Sequence, residues 1–497
     1  MASDLLLKGG LVLDIDRGGA FRGDILVSGG RIAEVSGGSI ATGEAVAVRD
    51  CSGFLVIPGL INAHTHGHGS LGKGLGDLWT LELLLNASSW AGGGFSDEDR
   101  ETAATLNATE MVLKGCTAAY DLFTQIPEPN VESLDAVVRG YLEVGVRVVL
   151  APMMADRTFY ESVPGLLQAI PASLTSQVSA QQPVSPGRQL ATLEAWLKGW
   201  SWPLERARPA LAPTIPTHCT KAFLEGCRNL ARDYDIGIQM HLAESKPQAV
   251  AAAGAFGKSL TAYLHDLDLL GPRFTGAHCV WVDDDDILRL ADTGARVAHN
   301  PGSNLRLGCG IAPVRRMLDA GITVGIGSDG SVSSDNQNMF EAKRLASYVS
   351  RAISPDPQQW VSASDVMQMA GVNSAAVLGF GREIGRIAPG CHADLVLLDL
   401  ANVNFVPLND AVRQLVQCED SSAVDTVMIG GEIVLEARRF TMLDYDRLRR
   451  RASDAAQRLL ERTTRERALA EALEPIVAPH CIGLARKPFP IHRYCGC

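Results

Sequence analysis

The chain has 497 residues, 46% of them hydrophobic and 20% charged, with a formal net charge of −11. This balance excludes a disordered chain and supplies enough core for one large domain plus a smaller one. The acidic surplus speaks against nucleic acid as a partner, because phosphate binding needs clustered Lys and Arg.

The first residues, Met-Ala-Ser-Asp-Leu-Leu-Leu-Lys, lack the cationic start, apolar core and cleavage site of a signal peptide, so a cytoplasmic protein is expected. No uninterrupted apolar run reaches the ~18 residues of a membrane span, and no membrane partner is expected. Short strands are predicted at 5–7, 11–13 and 25–27, separated by Gly-Gly and Asp-rich turns. The same pattern returns at 393–400 and 424–435. The two ends therefore predict one small β-sandwich domain, residues 1–57 with 386–440.

Between them strand and helix alternate eight times, with strands at 54–66, 117–122, 147–153, 209–215, 236–242, 274–280, 296–299 and 323–328. Short aliphatic runs of this kind suit parallel strands buried on both faces. Eight such units predict an α/β fold with a (β/α)8 TIM-like barrel over residues 58–385, whose chemistry gathers at the C-terminal strand ends. Residues 155–206 are an oversized connection, read as a lid or a subunit contact. Residues 441–497 begin as a charged helix, with a solvated Arg447–Arg451 face, and turn Pro-rich from Pro475. The eleven cysteines form no disulfide framework; Cys481, Cys495 and Cys497 near His480 and His492 are either a metal tract or an ordinary thiol-bearing tail.

The strongest chemical signal is Ile61-Asn62-Ala63-His64-Thr65-His66 at the end of the first barrel strand. Side chains two apart on a strand face the same side, so both imidazoles reach one ion. His68 continues the alternation beyond the strand and is given a loop role. His241, His278 and Asp329 fall where the fifth, sixth and eighth strands end, and a barrel converges those ends on one mouth. Imidazoles with a carboxylate suit Zn2+, and Fe2+ is tolerated. Glu244, three residues after His241, is placed to carry a proton between water and a substrate nitrogen, or else to favour the next helix N-terminus.

His64-Thr65-His66, His241-Leu242-Ala243-Glu244, Gly276-Ala277-His278-Cys279 and Gly327-Ser328-Asp329-Gly330 together resemble the amidohydrolase superfamily. The closer likeness is to its aminohydrolase and chlorohydrolase branch, with triazine hydrolases, cytosine and guanine deaminases and S-adenosylhomocysteine deaminases. His299-Asn300-Pro301-Gly302-Ser303-Asn304 and Asn338-Met339-Phe340-Glu341 are similar to that branch too. The resemblance implies that His64, His66, His241 and Asp329 hold one divalent ion. His278 would bond the attacking water or the developing anion, Glu244 would shuttle protons, and Asp329 would double as base. Binuclear relatives use a carboxylated lysine or a carboxylate from an inner strand, and the third and fourth strands here contain no lysine.

One position departs from the pattern. Thr214 stands where S-adenosylhomocysteine deaminases carry a histidine, with His218 nearby but out of register. That favours another amino- or halo-substituted heterocycle, or a guanidine- or urea-like substrate. The expected activity is an aminohydrolase releasing ammonia or an amine from a small molecule; the alternative is hydrolysis of a cyclic amide, urea or carbon–halogen bond. Trp90, Asn304 and Arg306 are the expected substrate contacts, with Trp79, Phe159 and Tyr160 as further stacking candidates. Leu166, Leu167 and Leu459 are offered as apolar positions for a symmetric contact, a dimer or higher homo-oligomer.

Overall fold

The computed structural model describes residues 4–494. In chain order its strands are β1 (Leu5–Asp14), β2 (Gly19–Ser28), β3 (Arg31–Ser36), β4 (Ala47–Asp50), β5 (Phe54–Pro58) and β6 (Leu60–Thr65). Next come β7 (Cys116–Thr124), β8 (Arg147–Met154), β9 (Ala207–Pro213), β10 (Gly237–Leu242), β11 (Phe274–His278), β12 (Arg296–His299) and β13 (Val324–Ile326). The last four are β14 (Leu395–Asp399), β15 (Val424–Ile429), β16 (Glu432–Glu436) and β17 (Arg439–Phe440).

Strands β6 to β13 lie side by side in sequence order, all parallel, as an eight-stranded barrel. Their side chains are buried almost throughout, the mark of parallel strands covered on both faces. Closure between β13 and β6 uses no ladder. Instead the Asp329 N–H donates to His64 O at 3.0 Å, and the Ser328 N–H donates to Asn62 Oδ1 at 3.0 Å. Gly327 permits that approach: a Cβ there would come within 2.8 Å of His64 O.

The remaining nine strands form one mixed sheet from both chain ends, in the order β17-β16-β15-β14-β5-β1-β2-β3, with β4 beside β1. The run 54–66, expected as one strand, is therefore two. β5 pairs with β1 and β14, while β6 pairs with β7 in the barrel. Gly59 alone separates the two strands, and it packs so tightly on Thr117 that a Cβ would clash. Arg147 and Asp394, both buried, join barrel and sheet through bonds of 2.7 and 2.9 Å.

The 155–206 connection carries helices Phe159–Ser162, Leu166–Ala169, Ala172–Ser179 and Pro186–Lys198. It packs on the C-terminal helix Thr464–Ala485: Leu166, Ile170 and Val178 share a buried cluster with Leu469, Leu473 and Val477. Leu166 and Leu459 are buried within the chain, in separate clusters, so neither is free for the subunit contact expected of it, while Leu167 is half-buried against the cluster of Leu166. The helix also runs past Pro475 and Pro479, where a Pro-rich tail was expected. Each proline removes a helical bond, but Leu473, Val477, Cys481 and Leu484 hold helical spacing into the core, and their burial wins. This helix is long and apolar enough in composition to cross a membrane, yet that same face is packed against the chain's own residues.

Candidate active site

Alternation along β6 sends His64 and His66 to one side, into the mouth of the barrel. His241 arrives from β10, His278 from the last position of β11, and Asp329 from three residues beyond β13. His66 Nε2 lies 3.1 Å from His241 Nε2, and Asp329 Oδ1 lies 3.6 Å from His64 Nε2 and 3.4 Å from His66 Nε2. A second group adjoins it: His278 Nε2 is 3.6 Å from Glu244 Oε2 and 3.8 Å from Asp329 Oδ2. Sequence reasoning named all six, and the structure brings all six together.

The donor chemistry fits a cation. His66 Nδ1 donates to Leu122 O at 2.7 Å, and His241 Nδ1 donates to Thr214 O at 2.8 Å. His64 Nδ1 donates to Gln239 Oε1 at 2.6 Å, since the Gln239 amide nitrogen is committed to Ala63 O at 3.1 Å. Every Nε2 therefore presents a lone pair inward, the tautomer that metal-bound histidines keep. His64 Nε2 is buried and unpartnered, and the His66 and His241 lone pairs face each other. A shared cation relieves both conditions. His64, His66, His241 and Asp329 can hold it, with His278 the next imidazole available.

Burial splits the acids and bases. It pushes His66 and His278 down to about 4, and His241 well below its usual value, so these imidazoles are neutral at pH 7. The two carboxylates move in opposite directions. Burial alone would raise Asp329, but the imidazoles of His64, His66 and His278 override it and hold the group well below the carboxylate range. Burial, then the carboxylates of Asp329 and Glu82, push Glu244 well above that range. The surroundings thus push the two carboxyls apart, the pattern that separates an acid from a base.

Glu244 is not a helix cap; Ser245 caps the next helix, and the Glu244 N–H is held by Gln248 Oε1 at 2.9 Å. Among the expected substrate contacts, Asn304 accepts from His278 Nδ1 at 2.9 Å. Arg306 instead grips the carbonyls of Gly76 and Asp77 and the Asp335 carboxylate, clamping the loop beside the mouth. Trp90 is buried against Trp79 and Ala470, under Arg467. Phe159 and Tyr160 pack in the cluster with the C-terminal helix. His68 Nδ1 accepts from the Thr124 N–H at 3.2 Å, a loop role. His480 bonds Pro164 O and Cys481 is buried, while Cys495 and Cys497 lie outside the described residues, so the tail brings no metal cluster together among the described residues. Sequence reasoning missed Gln239, Gln248 and Cys309, whose thiol lies 3.8 Å from Glu244 Oε1. The first carried a readable signal, since it is two residues before His241 on one strand and so shares its face.

A family model of the amidohydrolases matches residues 55–434. The chain belongs to the amidohydrolase family. This amidohydrolase is 31% identical over 446 residues to the 5'-deoxyadenosine deaminase of Methanothermobacter thermautotrophicus, covering 90% of this chain and 96% of that protein. Its fold matches an adenosine deaminase from Xanthomonas campestris with bound zinc, at a TM-score of 0.80 and 25% identity, over 92% of this chain and 98% of that one. It also matches the zinc complex of an atrazine chlorohydrolase from Arthrobacter aurescens TC1, at 0.80 and 25%, over 91% and 100%.

Proposed function

We propose that this amidohydrolase is a zinc-dependent aminohydrolase that replaces the exocyclic amino group of an aminopurine nucleoside with water. The observation that carries the reading is the pair of carboxyls beside His278 Nε2, Glu244 at 3.6 Å and Asp329 at 3.8 Å, whose surroundings push Glu244 up and Asp329 down. A halide leaves without a proton, whereas amine loss needs protons at the ring nitrogen and the leaving group, and a buried carboxyl pushed toward its neutral form is suited to donate. The likeness to deoxyadenosine and adenosine deaminases supports the purine class, although Thr214 departs from the histidine of S-adenosylhomocysteine deaminases. Zinc is favoured over iron by the imidazole-rich donor set and by the zinc in two similar structures.

When bound by His64, His66, His241 and Asp329, the ion supplies Lewis-acid activation of a water at neutral pH. Asp329 takes the proton of that water as it attacks the amino-bearing carbon. Glu244 gives its proton to the ring nitrogen that gains charge, the proton taken by Asp329 passes to the departing amine, and the adduct's hydroxyl proton returns to Glu244 as the carbonyl forms. His278, whose Nδ1–H donates to Asn304 Oδ1, keeps its Nε2 lone pair to accept from an O–H of the attacking water. Ammonia leaves.

Zinc-reconstituted protein should release ammonia from adenosine or 5'-deoxyadenosine at rates that scale with zinc content. Chloride release from chlorotriazines, with no ammonia from any aminopurine, cytosine or guanine, overturns the proposal in favour of the halide reading.

A further inference from the structure

The proposed reaction turns on where the Glu244 carboxyl is held, and residues 487–494 reach that place from outside. They leave the C-terminal helix and run along two loops of the barrel mouth, after β11 and after β12. Arg493 is half-buried; its Nε donates to Val280 O at 3.0 Å and its Nη2 to Val282 O at 2.5 Å. In return the Ile311 N–H donates to Arg493 O at 2.7 Å. Gly310, at φ +113, leaves room for that oxygen, since a Cβ would come within 2.8 Å of it.

Trp281 lies between this strap and the site. Its ring meets Phe489 at 6.0 Å and Tyr494 at 5.2 Å between centroids. Its Nε1 donates to Cys309 O at 2.7 Å, and its N–H donates to Ala243 O at 2.8 Å. Those bonds land on two of the neighbours that fix Glu244, the third being Gln248 at its N–H. Ala243 precedes it, at φ +49, and the Cys309 thiol touches its carboxyl at 3.8 Å.

We propose that the strap 487–494 is a positioning element for Glu244, acting through Trp281 and the Cys309 loop, with Arg493 as its anchor. The proposal rests on the reading of Glu244 as proton donor. A tail that merely stabilises the fold would lower the melting temperature and leave a folded variant working normally.

Two variants test it, Arg493→Ala and a chain ending at Arg486, each assayed well below its own melting temperature. In Arg493→Ala, kcat should fall by about 10- to 100-fold with KM little changed, the usual consequence of a catalytic group displaced by ~1 Å. Zinc should stay at the parent level by elemental analysis, and Arg493→Lys should recover part of kcat. Cys309, 1% exposed in the parent, should become open to iodoacetamide by peptide mass spectrometry. A kcat within about twofold of the parent, read as a free-energy difference, overturns the proposal. So does zinc loss in step with kcat, because the strap would then be supporting the ligands. Should the shortened chain fail to fold, Arg493→Ala carries the test alone, since it removes only two hydrogen bonds. If the parent releases no ammonia from any heterocycle, the proposed function fails by itself; Cys309 that stays protected in Arg493→Ala then overturns the strap separately.

Discussion

Replacing Glu244 with Gln removes a transferable proton and almost nothing else. The carboxyl is buried, and burial with the Asp329 and Glu82 carboxylates pushes it up toward the neutral form that Gln mimics. Its side-chain contacts are weak: Cys309 Sγ at 3.8 Å and His278 Nε2 at 3.6 Å. Losing them should change stability by no more than about 1 kcal/mol. Turnover is another matter, because an amide cannot give a proton and take it back. The expected drop is about 10²–10⁴-fold, or about 3 to 5 kcal/mol of barrier. Steady-state ammonia release, zinc by elemental analysis and a thermal melt measure the three quantities separately. Asp329→Asn is the contrast, since it should lose zinc and turnover together. A zinc-loaded Glu244→Gln enzyme within about threefold of the parent would refute the assignment of proton transfer to this residue.

Gln239→Leu should weaken zinc binding by about 10- to 100-fold, because His64 Nδ1 loses its acceptor at 2.6 Å; unchanged affinity in a chelator competition would show that Gln239 does not orient the ligand. Metal-free protein should lose stability as pH falls from 6.5 toward 4, since His66 and His278 titrate at about 4 when folded and near 6.5 when unfolded. In that window the unfolded chain binds more protons, so stability rises with pH and levels off above it; urea midpoints that stay flat across the window would contradict this. Arg147→Ala strands the buried Asp394 carboxylate and should cost about 3–5 kcal/mol in unfolding free energy. A midpoint shift too small for that would mean water reaches Asp394 and solvates it.

The convergence of the candidate ligands was legible because it depends on position along a strand. Two histidines two positions apart must share a face, and eight strand ends must meet at one mouth, so distant residues such as His64 and Asp329 are placed together by sequence alone. The alternating strand-helix pattern gave the barrel by the same periodicity. Substrate contacts failed because nothing periodic governs a loop. Arg306 and Trp90 are the residue types that bind rings and anions, but the sequence does not say that Gly76 and Asp77 offer carbonyls to the one or that Ala470 covers the other. The C-terminal helix failed for a different reason. Local propensity says that Pro475 ends it, and the apolar faces of the 155–206 connection and of residues 79–90 say otherwise.

The supporting shell was hidden by backbone conformation. Ala243, His278, Cys279 and Asp329 all have positive φ, between +47 and +70, a region non-glycine residues enter at some energetic expense. Each lies at or just past a strand end, where a left-handed residue ends the ladder and turns the chain at the mouth. Such residues persist only where neighbours over-determine them. At Asp329 the neighbours are polar and buried: Asn62 Nδ2 donates to Ser328 Oγ at 2.7 Å, Gln337 Nε2 donates to Asp329 O at 2.8 Å, and Thr65 Oγ1 donates to Gln337 Oε1 at 2.9 Å. Asn62, Thr65 and Gln337 read as ordinary polar residues in one dimension. Their function exists only once Asp329 has taken its strained φ, because that turn is what brings Asp329 O and Ser328 Oγ within their reach. Such buried networks rigidify a site when fully satisfied, and this one fixes the Asp329 carboxylate beside His64 and His66.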